Sequence, residues 1–171
     1  REMWPRVSVN PYQVWEEVVQ EIRPRLEGEG AGLHVEVEGD LRADHCRVRG
    51  TRDEVERILL ELVDNALKRM NGLPTREIRV KWADAFGRTV LTISDTGSGI
   101  TEEVRLHLFD GQVGRGLPLV HDLLRFQAGR IEAKRSSPGE GATIQVSWDQ
   151  RRGGMVYAVQ SLFRSSPEPQ A

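Results

Sequence analysis

An α+β fold is predicted: a two-layer α/β sandwich whose mixed, mostly antiparallel sheet is covered by helices on one face. Three observations carry the prediction. Alternating apolar stretches suited to strands are interspersed with helical ones, several strands come as hairpins rather than in strict strand–helix alternation, and one helix bears a long apolar stripe at 3.6-residue spacing. With 171 residues, 38% of them apolar, the chain has room for one domain with a real core.

The elements follow in order. Arg6 to Val9 reads as a short strand, and Asn10-Pro11 supplies an N-cap with proline in the first turn. Val14, Val18, Val19 and Ile22 give helical spacing, with Pro24 near the end and the glycines from Gly28 to Gly32 as the stop. Leu33, Val35 and Val37 alternate with polar neighbours as a half-buried strand, and His45 to Arg49 reads as a second. Thr51-Arg52-Asp53-Glu54 is a capping-box signature. Behind it Val55, Ile58, Leu59, Leu62, Ala66 and Met70 form one apolar stripe, flanked by a polar stripe of Glu61, Asn65 and Lys68. Ile78 to Trp82 and Val90 to Ile93 predict a hairpin around Ala83–Gly87 that ends at Asp95. A short helix opens at Thr101 and ends near Phe109, another runs from Gly116 to Phe126, and two strands follow around Ile131–Ala133 and Ala142–Trp148. Residues 1–150 form the expected domain. Residues 151–171, a weak apolar run and then a Ser/Pro/Gln tail, read as a partly disordered extension.

Composition narrows the function. The net charge of −2 provides no field toward nucleic acid or membrane surfaces. A single cysteine, Cys46, excludes an internal disulfide framework and fits a reducing compartment. No apolar run approaches the roughly 18 residues of a membrane span, and no signal peptide is visible. The first residue is Arg1, so the chain reads as a piece of a longer protein.

The chemistry lies in four ordered strings: Glu61–Lys68, Asp95-Thr96-Gly97-Ser98-Gly99-Ile100, Gly114–Leu119 and Gly139–Thr143. Together they describe an ATP site that lacks the usual glycine-rich loop ending in Lys-Ser/Thr. An adenine amine is best received by a buried carboxylate, and Asp95 at a strand end can be held rigidly. Gly97 and Gly99 permit positive φ and close backbone approach, although an ordinary Asp-Gly turn has the same composition. Mg²⁺ prefers oxygen ligands, which suits the Asn65 side-chain carbonyl together with phosphate oxygens. Lys68 can meet a phosphate as a point charge, and Glu61 can act as a general base. A solvated helix flank would also carry Glu61 and Lys68. Gly114, Gly116 and Leu117 open a helix whose free N–H groups suit phosphate, or simply start a helix. Thr143 either hydrogen-bonds the base edge or is the outward residue of a strand.

In order and spacing, these strings over residues 6 to 149 resemble the ATP-binding catalytic domain of sensor histidine kinases, in the Bergerat-fold superfamily that includes gyrase, heat-shock protein 90 and the mismatch-repair ATPases. Glu61–Lys68 is similar to the family's N box, Asp95–Ile100 to its first glycine box, and Leu108-Phe109 to a remnant of its F box. Gly114–Leu119 and Gly139–Thr143 are similar to the second and third glycine boxes. The resemblance implies that Asp95 binds the adenine amine, Asn65 the Mg²⁺, and that Glu61 occupies the activating position. It implies ATP and Mg²⁺ as cofactors, and transfer of the γ-phosphate to a histidine on a separate dimerising helical hairpin. The implied partners are that hairpin and a response regulator, in a homodimeric, cytoplasmic or membrane-anchored parent; none is nucleic acid.

The chain departs from the family pattern in four places. Only 14 residues separate Gly99 from Gly114, which makes a short lid, and Pro118 stands for a glycine in the second glycine box. Arg69 occupies a position where an aromatic often follows the N-box lysine, and Ala142 one often held by threonine. These bear on affinity and turnover rather than on fold. His121-Asp122 lacks the proline of a phosphoacceptor box and lies inside a helix, so it reads as an exposed helix histidine. No histidine pair has metal-ligand spacing. Two alternatives stand beside the kinase: a degenerate docking module of the same fold, and a serine kinase of the anti-sigma-factor type.

Overall fold

The computed structural model of the chain describes residues 8–111, 116–134 and 139–150. Strands β1 (Ser8–Val9) and β3 (Val48–Arg49) pair antiparallel as a small separate sheet. The main sheet joins β2 (Gly32–Glu38), β4 (Glu77–Ala85), β5 (Arg88–Asp95), β6 (Gly129–Lys134) and β7 (Thr143–Asp149) in the spatial order β2-β4-β5-β7-β6. Only the β2–β4 pair is parallel; the other three are antiparallel. The predicted mixed, antiparallel-rich sandwich is the fold observed.

Helices α1 (Pro11–Gly28), α2 (Arg52–Arg69) and α4 (Gly116–Phe126) supply the second layer, and α3 (Glu102–Leu106) is a single short turn in the loop after β5. Their starts are fixed by local chemistry. The Asn10 side chain accepts from the Tyr12 and Gln13 amides and donates to the Leu41 carbonyl, which ties the start of α1 to a distant loop. The capping box of Thr51 and Glu54 is present in full at the start of α2. Every residue of the predicted α2 stripe is buried, and Val63 joins it. Strand residues of one parity (Ile78, Val80, Trp82, Leu91, Ile93, Ile144, Val146 and Trp148) face this layer and are buried.

Two expectations need correction. His45 to Arg49 is mostly not a strand: Asp44–Cys46 forms a 3-10 turn, held by Cys46 Sγ donating to the Asp40 carbonyl and Thr89 Oγ1 donating to the Cys46 carbonyl. Val35 and Val37 share the parity of the core face, but β2 is an edge strand and they are 37% and 43% exposed. The left-handed residue that ends α4 is Ala128 (φ 52°). Gly129 opens β6, where a Cβ would sit 2.8 Å from Leu124 Cδ2. The extension at 151–171 lies outside the described residues.

Candidate nucleotide site

The second half of α2, the loop after β5 and the start of α4 enclose a cavity of about 290 Å³. Asn65, Lys68 and Arg69 line one wall, Gly99, Ile100, Val104 and Leu108 a second, and Gly116, Leu117 and Pro118 the third. Polar groups thus come from the α2 flank and apolar ones largely from the post-β5 loop, the mixture expected where a flat ring and a charged tail share one pocket. Phe109 stacks on His121 with centroids 5.6 Å apart, which ties that loop to α4.

Asp95 ends β5 with a side chain only 1% exposed. Its Oδ1 accepts from the Gly97 amide at 2.8 Å and, at longer range, from the Ala142 amide at 3.4 Å. Its Oδ2 accepts from Arg69 Nε at 2.8 Å. A buried carboxylate must be matched by donors, and this one is held from both sides. Two glycines make the arrangement possible. A Cβ on Gly97 would lie 2.7 Å from Asp95 Oδ1 and 2.8 Å from the Arg69 carbonyl, so this glycine serves close approach rather than positive φ. Gly141 (φ 78°) is tighter still, its Cβ falling 1.8 Å from the Asp95 carbonyl oxygen. Gly99 has the predicted positive φ, 85°.

Glu61, Asn65 and Gly116 meet where α4 begins. Asn65 Nδ2 donates to the Glu61 carbonyl at 2.7 Å, which commits the amide nitrogen and leaves the side-chain oxygen as the group for a cation. Arg57 Nε lies 3.3 Å from Glu61 Oε1. A Cβ on Gly116 would come within 2.5 Å of Glu61 Oε2 and 3.2 Å of Asn65 Nδ2. The donor set therefore suits one oxygen-seeking cation beside an acid, at a helix start without side-chain bulk.

Of the residues singled out from the sequence, Asn65, Lys68, Gly99, Gly116 and Leu117 line the cavity, with Asp95, Gly97 and Glu61 set against that lining. Gly114 lies outside the described residues. Thr143 is not brought to the cavity: it has the parity of Ser94, on the sheet face opposite Asp95, and its Oγ1 is 2.9 Å from Ser94 Oγ. From the sequence, Gly141 and Ala142 stand within the Gly139–Thr143 string, with Arg69 and Ala142 as departures from the family pattern; none is given a contact with Asp95. Arg69 had a usable signal, since it lies four residues after Asn65 on the same helix flank.

A second polar cluster forms at the far end of the sheet. His45, Cys46 and Asp84 bring their ligand atoms within 4.8 Å of one another, a juxtaposition that spacing along the chain does not reveal. These groups are already matched: His45 Nε2 is 2.6 Å from Asp84 Oδ2, Gln150 Nε2 donates to Asp84 Oδ1 at 2.8 Å, and the Cys46 thiol donates to the Asp40 carbonyl. Burial pushes the Cys46 thiol up to about 12, aided by the nearby Asp84 charge. The cluster staples the 3-10 turn to β4.

Residues 50–152 match the model of the histidine kinase-, DNA gyrase B-, and HSP90-like ATPases. The chain belongs to this family. It is 32% identical over 139 residues to the C4-dicarboxylate transport sensor protein DctB of Rhizobium meliloti, covering 77% of this chain and 22% of the relative. It is 35% identical over 122 residues to the sensor protein DivL of Caulobacter vibrioides, covering 67% and 15%. The chain therefore spans about a fifth or less of these curated relatives. Among solved structures, the nucleotide-free catalytic domain of histidine kinase ThkA superposes with a TM-score of 0.72 at 17% identity, over 84% of this chain and 95% of that one. The mycobacterial sensor histidine kinase MprB gives 0.69 at 22% identity, over 84% and 97%. At such identities the likeness concerns the fold, which is that of a histidine kinase catalytic domain. The family match makes residues 50–152 an ATPase-type domain of this family. Among the described residues, no helix is long and apolar enough to cross a membrane.

Proposed function

We propose that this domain binds Mg-ATP between α2 and the loop after β5 and donates the γ-phosphate to a histidine on a separate helical hairpin, for relay to an aspartate of a response regulator. The observation that carries the reading is the buried, amide-anchored Asp95 beside a cavity whose α2 wall presents Asn65 and Lys68. Asp95 would receive the exocyclic amine of the base, Ile100, Val104 and Leu108 would cover the ring, and Lys68 at the exposed rim would meet the phosphates. The Asn65 side-chain oxygen would hold a Mg²⁺, which when bound neutralises charge on the phosphates. Glu61, steadied by Arg57, would polarise the incoming nucleophile. Gly114 completes the phosphate end in this reading. Catalysis of this kind is mainly positioning and charge neutralisation.

The sensor proteins among the relatives support the signalling context, and one neighbouring fold is a histidine kinase in complex with a response regulator protein. The reading puts the domain in the cytoplasm, within residues 1–150, with dimer contacts and any anchor elsewhere in the parent. One observation favours a second reading, a docking module that binds nucleotide poorly: Arg69 already engages Asp95. Calorimetric titration with Mg-ADP separates the two. Binding by the wild type that falls about tenfold or more in Asp95→Asn is the expected result. No binding by the folded wild type would promote the docking module.

A further inference from the structure

We propose that Arg69 sets base recognition at this site, by holding the carboxylate oxygen that the base amine requires. The inference rests on the nucleotide reading above and adds a residue that the site chemistry had not used. Asp95 Oδ1 accepts from two backbone amides and Oδ2 from Arg69 Nε at 2.8 Å; with the Asp95 side chain 1% exposed, Arg69 covers the oxygen that a base amine has to reach. This is no surface pair: the two side chains are 15% and 1% exposed, so solvent screens the contact poorly. Arg69 also lines the cavity, and its Nη2 is buried with no acceptor among the described residues. A buried guanidinium nitrogen without a partner on a cavity wall calls for an acceptor atom from outside the protein. The backbone of Arg69 cannot yield, because its carbonyl and Cβ abut Gly97, so any exchange is made by the side chain alone.

The chemistry distinguishes purines. A 6-aminopurine carries a donor amine next to a ring nitrogen acceptor. On entry its amine replaces Arg69 on Asp95 Oδ2, and the released guanidinium can donate to the ring nitrogen. A 6-oxopurine presents a carbonyl in that place. It cannot replace the guanidinium on Oδ2, and with Arg69 left in place the carbonyl is kept from facing the bare carboxylate. Arg69 therefore taxes adenine and shields hypoxanthine from the carboxylate, so it narrows the preference that Asp95 alone would impose.

The test is calorimetric titration of wild type, Arg69→Met and Arg69→Lys with Mg-ADP and Mg-IDP. Arg69→Met is expected to widen the ADP-over-IDP affinity ratio by roughly tenfold, about one charge-assisted hydrogen bond. Arg69→Lys keeps a cation beside Asp95, and it serves as the folded comparison if the methionine variant leaves the buried Asp95 charge unpaired and does not fold. It is expected to widen the ratio by less. Using the ratio removes any effect of the lost charge on phosphate binding, which both nucleotides share, and a merely structural role for Arg69 would leave the ratio unmoved. An unchanged or narrowed ratio with binding intact overturns the role of Arg69 and leaves the proposed function standing. Absence of ADP binding in wild type and both variants overturns the nucleotide reading and this inference with it.

Discussion

The two ends of the main sheet use the same strands for opposite purposes. At one end Trp82 of β4 and Trp148 of β7 stack with centroids 6.2 Å apart and planes 3° from parallel, with Trp15 and Tyr12 of α1 against Trp82. Trp148 Nε1 donates to the buried Gln127 Oε1 at 2.8 Å, so the indole is both packed and paired. At the other end the same layer holds Asp95 and Ala142, two glycines with no space for a Cβ, and an open cavity. Aromatic burial concentrates stability at the first end. That leaves the second free to keep a buried charge and unfilled volume, both of which cost stability wherever they occur.

Four measurements would break or sharpen this contrast. Trp148→Ala at the packed end is expected to destabilise the domain by about 3–5 kcal/mol in urea unfolding, while nucleotide affinity per folded molecule changes little. A comparable loss of affinity would mean that the two ends are coupled. Gly141→Ala drives a methyl into the Asp95 carbonyl at positive φ. It should cost about 2–3 kcal/mol and also weaken nucleotide binding, through displacement of the Ala142 amide. Full affinity in that variant would show that the Asp95 cradle tolerates movement.

Two smaller effects are expected at the packed end. Ala128→Gly removes a left-handed alanine after α4 and should stabilise by about 0.5–1 kcal/mol in thermal unfolding. The last concerns acid. Burial alone would raise the Asp84 carboxyl, but hydrogen bonds from Gln150 and His45 outweigh it and hold the carboxyl below its ordinary value. A folded pKa below the unfolded one stabilises above the unfolded value and loses that contribution as pH falls through the folded one. Asp84→Asn should therefore flatten the acid limb of a plot of Tm against pH below about 4; an unchanged limb would remove Asp84 from the account.

Much of this was legible from neighbouring residues. The Asn10-Pro11 and Thr51–Glu54 caps, the α2 stripe, the hairpin into Asp95 and the glycines after it are set by groups within one or two turns of each other. Local sterics and hydrogen bonding determine such features whatever the rest of the chain does. The tertiary structure alone decided that Oδ2 of Asp95 meets Arg69, 26 residues away, and that Oδ1 meets the Ala142 amide, 47 residues away. It also decided that Thr143 turns from the site, because the register pairs it with Ser94, one residue out of phase with Asp95. Periodicity says which face of an element is apolar. Which charged flanks then come together depends on how helices seat on the sheet and how distant strands register, and no short stretch of sequence contains that information.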